Sequence, residues 1–551
     1  MTEQFNRWSS DRPVGFDFET NGKAVWVPGS EIVGVSLAGY EANGDISAVY
    51  VPLAHRRGVN ADRANVFSIL DYIRRSGVRL VPFNAQFEHQ WALGRWNVRL
   101  PIAGDGYIAA RLLQLDQFGL KDLVEAVLGE TPPRFTDVVA EGTDFSLVDP
   151  QDPLVQDYVL ADARNALRLE HVLREELSRE GLADVYALEV QASLLMAEQT
   201  LRGYEASASI IVREVMAETD AVNRLEMRVF RELGTKSFSI NSGTQLGKAL
   251  NTRGIHSPLQ TEKTKVESWS AEALELLKDA HPVIATIREW KSRFANLNTL
   301  KRAPFTLAQD GRLHPRWRSI GVQGSARMVA EKPALTNLPV TARRAFRARP
   351  GRVWVSLRFP DLEARMIAIQ SGDVALLDAF RHHEPWATIS QQTGVPQAQV
   401  QTAFREWVVS GGGDERFAER YPEAQALLAA VFARGRDTGE VRLWWGRRRW
   451  LSRPGDARLT CSNREAPRPE ARGRSACSAL GMEAAATVVK HLLLRIRDGI
   501  EDVIPGVDVL YYTVAEAALE EHQRRMPSLP AAGVEVPHEW RVGQSWGDVC
   551  N

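Results

Sequence analysis

The chain of 551 residues is long enough for about three to four folding units at roughly 150 residues each. Hydrophobic residues at 44% and charged residues at 25% are ordinary for a globular protein and exclude a disordered, collagen-like or coiled-coil chain. Lys and Arg number 68 against 69 Asp and Glu, a net charge of −1, so any nucleic-acid binding must come from local basic patches. Cys461, Cys477 and Cys550 are too few and too scattered for a disulfide framework or a cysteine-built zinc site, which fits a reducing cytoplasm. The first twenty residues are charged and no run of about 18 apolar residues occurs, so no membrane partner is expected.

Over residues 1–180, short β-like runs at 14–18, 32–37, 48–51 and 80–82 alternate with helical periodicity at 63–76 and 85–93. This is α/β patterning. A second region, 181–300, carries the period of long amphipathic helices at 187–201 and 208–233, with a polar loop at 235–243. The third, 301–551, opens with strand-like stretches at 311–322 and 352–357 and continues with mixed helices to about 435. Residues 431–480 then hold twelve arginines, no lysine and five acids. Strand-like runs return at 507–514 and 534–541.

The sharpest local signal is Val14-Gly-Phe-Asp-Phe-Glu-Thr20, where period two puts Asp17 and Glu19 on one face of a strand. Adjacent carboxylates repel unless a cation lies between them. A lone Asp-x-Glu is also what an exposed strand end looks like, but two further acidic segments follow. Phe83-Asn-Ala-Gln-Phe-Glu88 comes after a strand, and Tyr158-Val-Leu-Ala-Asp162 puts Tyr158 and Asp162 on one helix face.

These three segments resemble the motifs of the ribonuclease-H-like DEDD 3′→5′ exonucleases, the Tyr-x-x-x-Asp form being that of the proofreading domain of DNA polymerase I. Gly119-Leu-Lys-Asp-Leu123 is similar to that domain's central helices. The resemblance implies two Mg²⁺ or Mn²⁺ ions about 4 Å apart, held by Asp17, Glu19, Glu88 and Asp162. Asp17 would bridge both ions, Glu19 and Asp162 would each ligate one, and Tyr158 would orient the attacking water. Glu88 departs from the family's Asp, and its extra methylene calls for a shifted rotamer or ligation through water.

From 185 onward the chain resembles the family A DNA polymerases. The residues that carry this are 189–203, 238–242, Thr261-Glu-Lys-Thr264, 288–291, 311–315, Arg327, 333–339, 343–346, 439–442, 445–449, Gly543 and Trp546. The implied fold class is α/β, a ribonuclease-H-like domain at 1–180 followed by an α+β right hand, with thumb at 181–300 and palm and fingers at 301–551. DNA, as single-stranded 3′ ends or primer–template, is the implied partner, gripped by Arg327, Arg343, Arg447, Arg448 and Arg449. Trp444-Trp445 either stacks on a template strand or forms a packed pair.

The catalytic positions depart from the family. Arg358 stands in the slot of the first metal-binding Asp, with Glu363 and Arg365 retained. The His-Asp-Glu hairpin is matched to Val514-Ala515-Glu516, so Ala515 replaces the second Asp and Glu516 remains. The nucleotide-binding helix reduces to 401–413, with Arg405 nearest the triphosphate lysine, and 482–487 is degraded. Asp361 is displaced from the slot, and His382-His383-Glu384 reads as a solvated segment rather than a metal site. The expectation is a 3′→5′ exonuclease, in replication or repair, on a scaffold that no longer polymerises. Two alternatives stay open, an active proofreading polymerase and a non-catalytic DNA-binding protein. A phage-like or large-fragment-like layout in the cytoplasm of a bacterial or phage-infected cell is implied, with no processivity partner indicated.

Overall fold

The computed structural model describes residues 5, 7–22, 24–261, 266–302, 308–321, 324–451, 468–527, 529–531 and 534–550. Cys461, residues 262–264 of the thumb landmark and residues 452–467 of the arginine-rich stretch lie outside the described residues.

Strand β1 (Val14–Thr20) is buried on both faces and forms the spine of the first sheet. It runs antiparallel to β2 (Ile32–Tyr40), which pairs with β3 (Ile46–Pro52) through a short turn. Helix α1 (Arg63–Ser76) starts where the Asp62 carboxylate accepts the Ala64 N–H and stops at Gly77, whose φ of 61° releases the chain from the helix. That return delivers β4 (Leu80–Pro82) parallel to β1 on its other edge. The order is β3-β2-β1-β4.

Helices α2 (Ala85–Trp91), α3 (Gly106–Leu112) and α4 (Leu120–Leu123) follow. The long α5 (Pro153–Arg179), capped by Asp152 with Pro153 in its first turn, crosses the sheet over all four strands. Close approach of α5 to β1 depends on Gly15, because a Cβ there would lie 2.2 Å from the Ala163 carbonyl oxygen. This contact seats Asp162, one residue earlier on α5, against Asp17.

Helix α6 (Ala183–Arg202) belongs to two cores. Val185, Tyr186 and Val190 pack with the first domain, whereas Met196 enters the core of the C-terminal sheet. The boundary expected near 180 therefore falls beside a helix that cements both sides. A separate helical core forms between α7 (Ala208–Leu233) and α8 (Pro282–Arg302), around Val229, Ile284 and Ile287.

In the last region, β5 (Arg352–Arg358) leads through a tight turn into α9 (Leu362–Ser371). Helices α10 (Val400–Val409), α11 (Pro422–Thr438) and α12 (Pro469–Ile496) then precede β6 (Ile500–Pro505), β7 (Val509–Ala515) and β8 (Glu539–Gly543). The second sheet is antiparallel with order β6-β7-β5-β8. Helix α12 is long and apolar enough to cross a membrane, and most of that apolar stretch is buried inside this protein against α9 and α11.

A buried ionic knot ties the halves together. Glu189 of α6, fully buried, accepts from Lys490 of α12 and from Arg447. Lys490 also donates to the Ser319 carbonyl at 2.7 Å, and burial pulls its ammonium down to about 8.

Gly15→Ala is expected to lower the free energy of unfolding by about 1–3 kcal/mol, because the obstacle is backbone and cannot rotate away. Urea denaturation measures it, and an unchanged midpoint would contradict the α5–β1 contact.

Candidate active site

Period two on β1 places Asp17 and Glu19 on the same face, opposite Ser36 and Gly34 of β2. Glu19 is buried and Asp17 half-buried. Across from them α5 presents Asp162. Ligand oxygens of Asp17, Glu19 and Asp162 all lie within 4.8 Å of one another. Tyr158, one turn earlier on α5, is buried and bonds the Asp162 carboxylate through its hydroxyl.

Glu88 does not join this compact group. Strand β4 pairs with β1 only as far as Phe16, and beyond that point Glu88 Oε2 accepts the Phe18 N–H at 3.1 Å. The expected set of four ligating carboxylates is thus three converging groups with Glu88 beside them, fastened to the strand that carries two. Its longer side chain reaches the main chain of β1.

Sequence reasoning missed three residues here. Lys121, in the first turn of α4, makes an ion pair with Asp162 Oδ1 and holds its ammonium 4.4 Å from the centre of the Tyr158 ring. Tyr50 of β3 passes over Gly34, where a Cβ would collide with its ring and hydroxyl. Its hydroxyl bonds His55 Nε2 at 2.7 Å, and His55 Nδ1 donates to the Val148 carbonyl at 3.0 Å. Lys121 sits inside the quoted 119–123 segment, and nothing local in it marks the lysine as facing the acids. Tyr50 and His55 carry no sequence signal at all.

Burial first, and the facing carboxylates second, push Asp17, Glu19 and Glu88 well above the ordinary carboxylate range. Asp162 is also raised by burial, with Lys121 and Tyr158 pulling it back. Asp17, Glu19 and Asp162 are thus a group of acids that could hold a metal ion. An octahedral Mg²⁺ holds oxygens at about 2.1 Å, so opposite ligands stand about 4.2 Å apart, a little inside the 4.8 Å that bounds the separation of these three oxygens. Glu88 uses Oε2 for the Phe18 N–H, which leaves its other carboxylate oxygen for any second ion.

At the second site the structure relocates one expectation. Strand β7 ends at Ala515, which pairs with Arg352 at the start of β5, and Glu516 is exposed in the turn beyond. Six steps along β7 separate Ala515 from Val509, about 20 Å. Val509 pairs with Arg358, and the β6–β7 hairpin turn next to it is Gly506-Val507-Asp508. The hairpin facing Arg358 is therefore 506–508, and the assignment of Ala515 and Glu516 to it is corrected. The error arose because a Val-Ala-Glu string resembled the motif while strand pairing was invisible.

Asp508 faces a guanidinium across this hairpin, in a part-exposed pair. Its carboxylate lies 3.6 Å from the Arg358 guanidinium. Glu363, exposed at the start of α9, is within electrostatic range of Arg327, Arg405 and Asp508. Arg365 is structural, donating to the Pro360 carbonyl at 2.9 Å. Asp361 adopts a φ of 56° at the turn into α9. His382, His383 and Glu384 are exposed.

Three of the five arginines expected to grip DNA are internal. Arg447 is buried on Glu189, Arg448 is buried on Glu180, and Arg449 bonds Glu483 at 3.1 Å. Arg343 lies over the Trp546 ring and donates to the Leu338 carbonyl at 2.9 Å. Only Arg327 of the five is exposed. Trp444 and Trp445 stack at 4.0 Å and pack on the sheet core, the packed-pair alternative.

The raised carboxyls fix a sign. A folded chain that keeps protons which the unfolded chain has lost is destabilised as pH rises. In EDTA the melting temperature is expected to fall from about pH 5 to about pH 8. Saturating Mg²⁺ should remove most of that slope, and Asp17→Asn should raise the melting temperature in EDTA. Asp105, raised by burial to about 7, contributes a part that Mg²⁺ leaves in place. Calorimetry with a flat pH profile in EDTA would contradict the buried cluster.

Residues 212–408 match the family model described as DNA polymerase family A. DNA polymerase I of Chloroflexus aurantiacus is 27% identical over 514 residues, covering 84% of this chain and 53% of that protein. DNA polymerase I of Rhizobium leguminosarum is 27% identical over 575 residues, covering 90% and 54%. The chain thus spans about half the length of these curated relatives. The POL domain of Pol1 from M. smegmatis, solved in complex with DNA primer-template and dNTP, superposes with a TM-score of 0.78 at 19% identity, covering 98% of this chain and 97% of that one. The mixed α/β architecture is that of a polymerase domain over nearly its whole length, and residues 212–408 carry the similarity to DNA polymerase family A.

Proposed function

We propose that this protein is a metal-dependent 3′→5′ DNA exonuclease carried on a family A polymerase scaffold that has lost nucleotidyl transfer. The observation that carries this reading is a contrast between two sheet faces. Three carboxylates and Tyr158 converge on β1, whereas the end of β5 bears Arg358 paired with Asp508. A strand flanked by an antiparallel hairpin and a parallel edge strand, crossed by the acid-bearing α5, supports a ribonuclease-H-like domain at 1–180.

A divalent ion held by Asp17, Glu19 and Asp162 would supply an activated water and neutralise charge at phosphorus. The chain's own groups do the rest. Glu88 locks β1 in register beneath the cluster, keeping Asp17 and Glu19 aimed at α5. Tyr158, buried beside the cluster, fixes the Asp162 carboxylate through its hydroxyl. The buried setting strengthens each charge interaction relative to water. DNA as the partner is supported by the primer-template in the structural neighbour.

At the other site, nucleotidyl transfer needs carboxylates to hold ions against a triphosphate. A guanidinium at position 358 repels such ions and occupies the nearest acid. The second reading is an active polymerase with proofreading. It is favoured by the names of the relatives and by Glu363 and Asp508, which remain near one another.

A labelled primer–template with Mg²⁺, with and without dNTPs, decides between them. Shortening without extension is expected, and Asp17→Ala should slow shortening at least about a hundredfold, equivalent to about 2.7 kcal/mol of barrier. Undiminished shortening by that variant would refute the site, and templated extension by the native chain would promote the second reading.

A further inference from the structure

The acidic cluster already contains a cation, and it comes from the chain itself. Lys121 lies in the single-turn helix α4, within reach of the acids of β1 and α5. Its side chain is only 15% exposed. Burying an ammonium there is tolerable only if anions compensate it, and the carboxylates of α5 and β1 do so. It pairs directly with Asp162 and acts electrostatically on Asp17 and Glu19. The Tyr158 ring 4.4 Å away gives it a second resting surface.

We propose that Lys121 is a built-in counter-cation that competes with the divalent ion for Asp162, and so sets the metal concentration at which the site loads. This rests on the exonuclease reading of the cluster. Without an ion, Lys121 holds the three acids together. When an ion is bound, the ammonium swings off Asp162 and remains over the Tyr158 ring. Such a device keeps the nuclease folded but unloaded at low divalent-ion concentration.

The test is Mn²⁺ binding to the purified full chain, followed by electron paramagnetic resonance of free Mn²⁺. Lys121→Met removes the charge while keeping an unbranched stem, and should tighten Mn²⁺ binding at least about tenfold. Lys121→Arg should bind like the native chain. In EDTA, Lys121→Met should melt below the native protein and gain more on adding Mn²⁺. If Lys121→Met is poorly folded without metal, Lys121→Gln, which retains a polar head, should show the same tightening. Native binding with equal or weaker affinity in both neutral variants would overturn the competition and leave the exonuclease reading standing. No Mn²⁺ binding by any of the proteins would overturn both.

Discussion

Carboxylates within 4.8 Å of one another in a buried place cannot coexist as free anions. This constraint governs the N-terminal half of the molecule. It explains why β4 stops short and Glu88 takes up the Phe18 amide, since that bond holds the acid-bearing strand flat against α5. It explains Gly15, which brings the helix close enough to place Asp162 opposite Asp17. It also explains the lysine, Lys121, that is paired with Asp162.

The C-terminal half shows the opposite chemistry on a well-kept scaffold. Its four-stranded antiparallel sheet lies in a large cluster of buried apolar residues, and the Glu189–Lys490–Arg447 knot fastens it to the first domain through α6. Removing one member of such a buried set leaves the others uncompensated, so the knot constrains the relative placement of the halves. Against that rigid frame, the tip of β5 carries a guanidinium and an ion pair where family resemblance leads one to look for acids. The packing around that sheet end is kept while the Arg358–Asp508 ion pair occupies it.

Much of the fold was legible in the sequence because its signals are local. The run at 14–18, the helix at 63–76 and the helix at 208–233 follow from hydrophobic period and capping residues within a few positions. Asp17, Glu19, Tyr158 and Asp162 came from ordered motifs, and the structure brings them together. What failed was non-local. Arg447, Arg448 and Arg449 read as a phosphate-gripping run, yet their partners Glu189, Glu180 and Glu483 lie far along the chain. The hairpin opposite Arg358 was misplaced because only β5–β7 pairing shows that residues 506–508 form it. Glu88 was expected among the ligands because nothing local shows that β4 ends at Pro82 and leaves the Phe18 amide to be taken up.

The most direct measurement of the central claim is anomalous diffraction from crystals soaked in Mn²⁺. The expected result is an anomalous peak between Asp17, Glu19 and Asp162, with Lys121 moved off Asp162, and no peak beside Arg358 and Asp508. An ion at the 506–508 hairpin with none at the N-terminal cluster would contradict it.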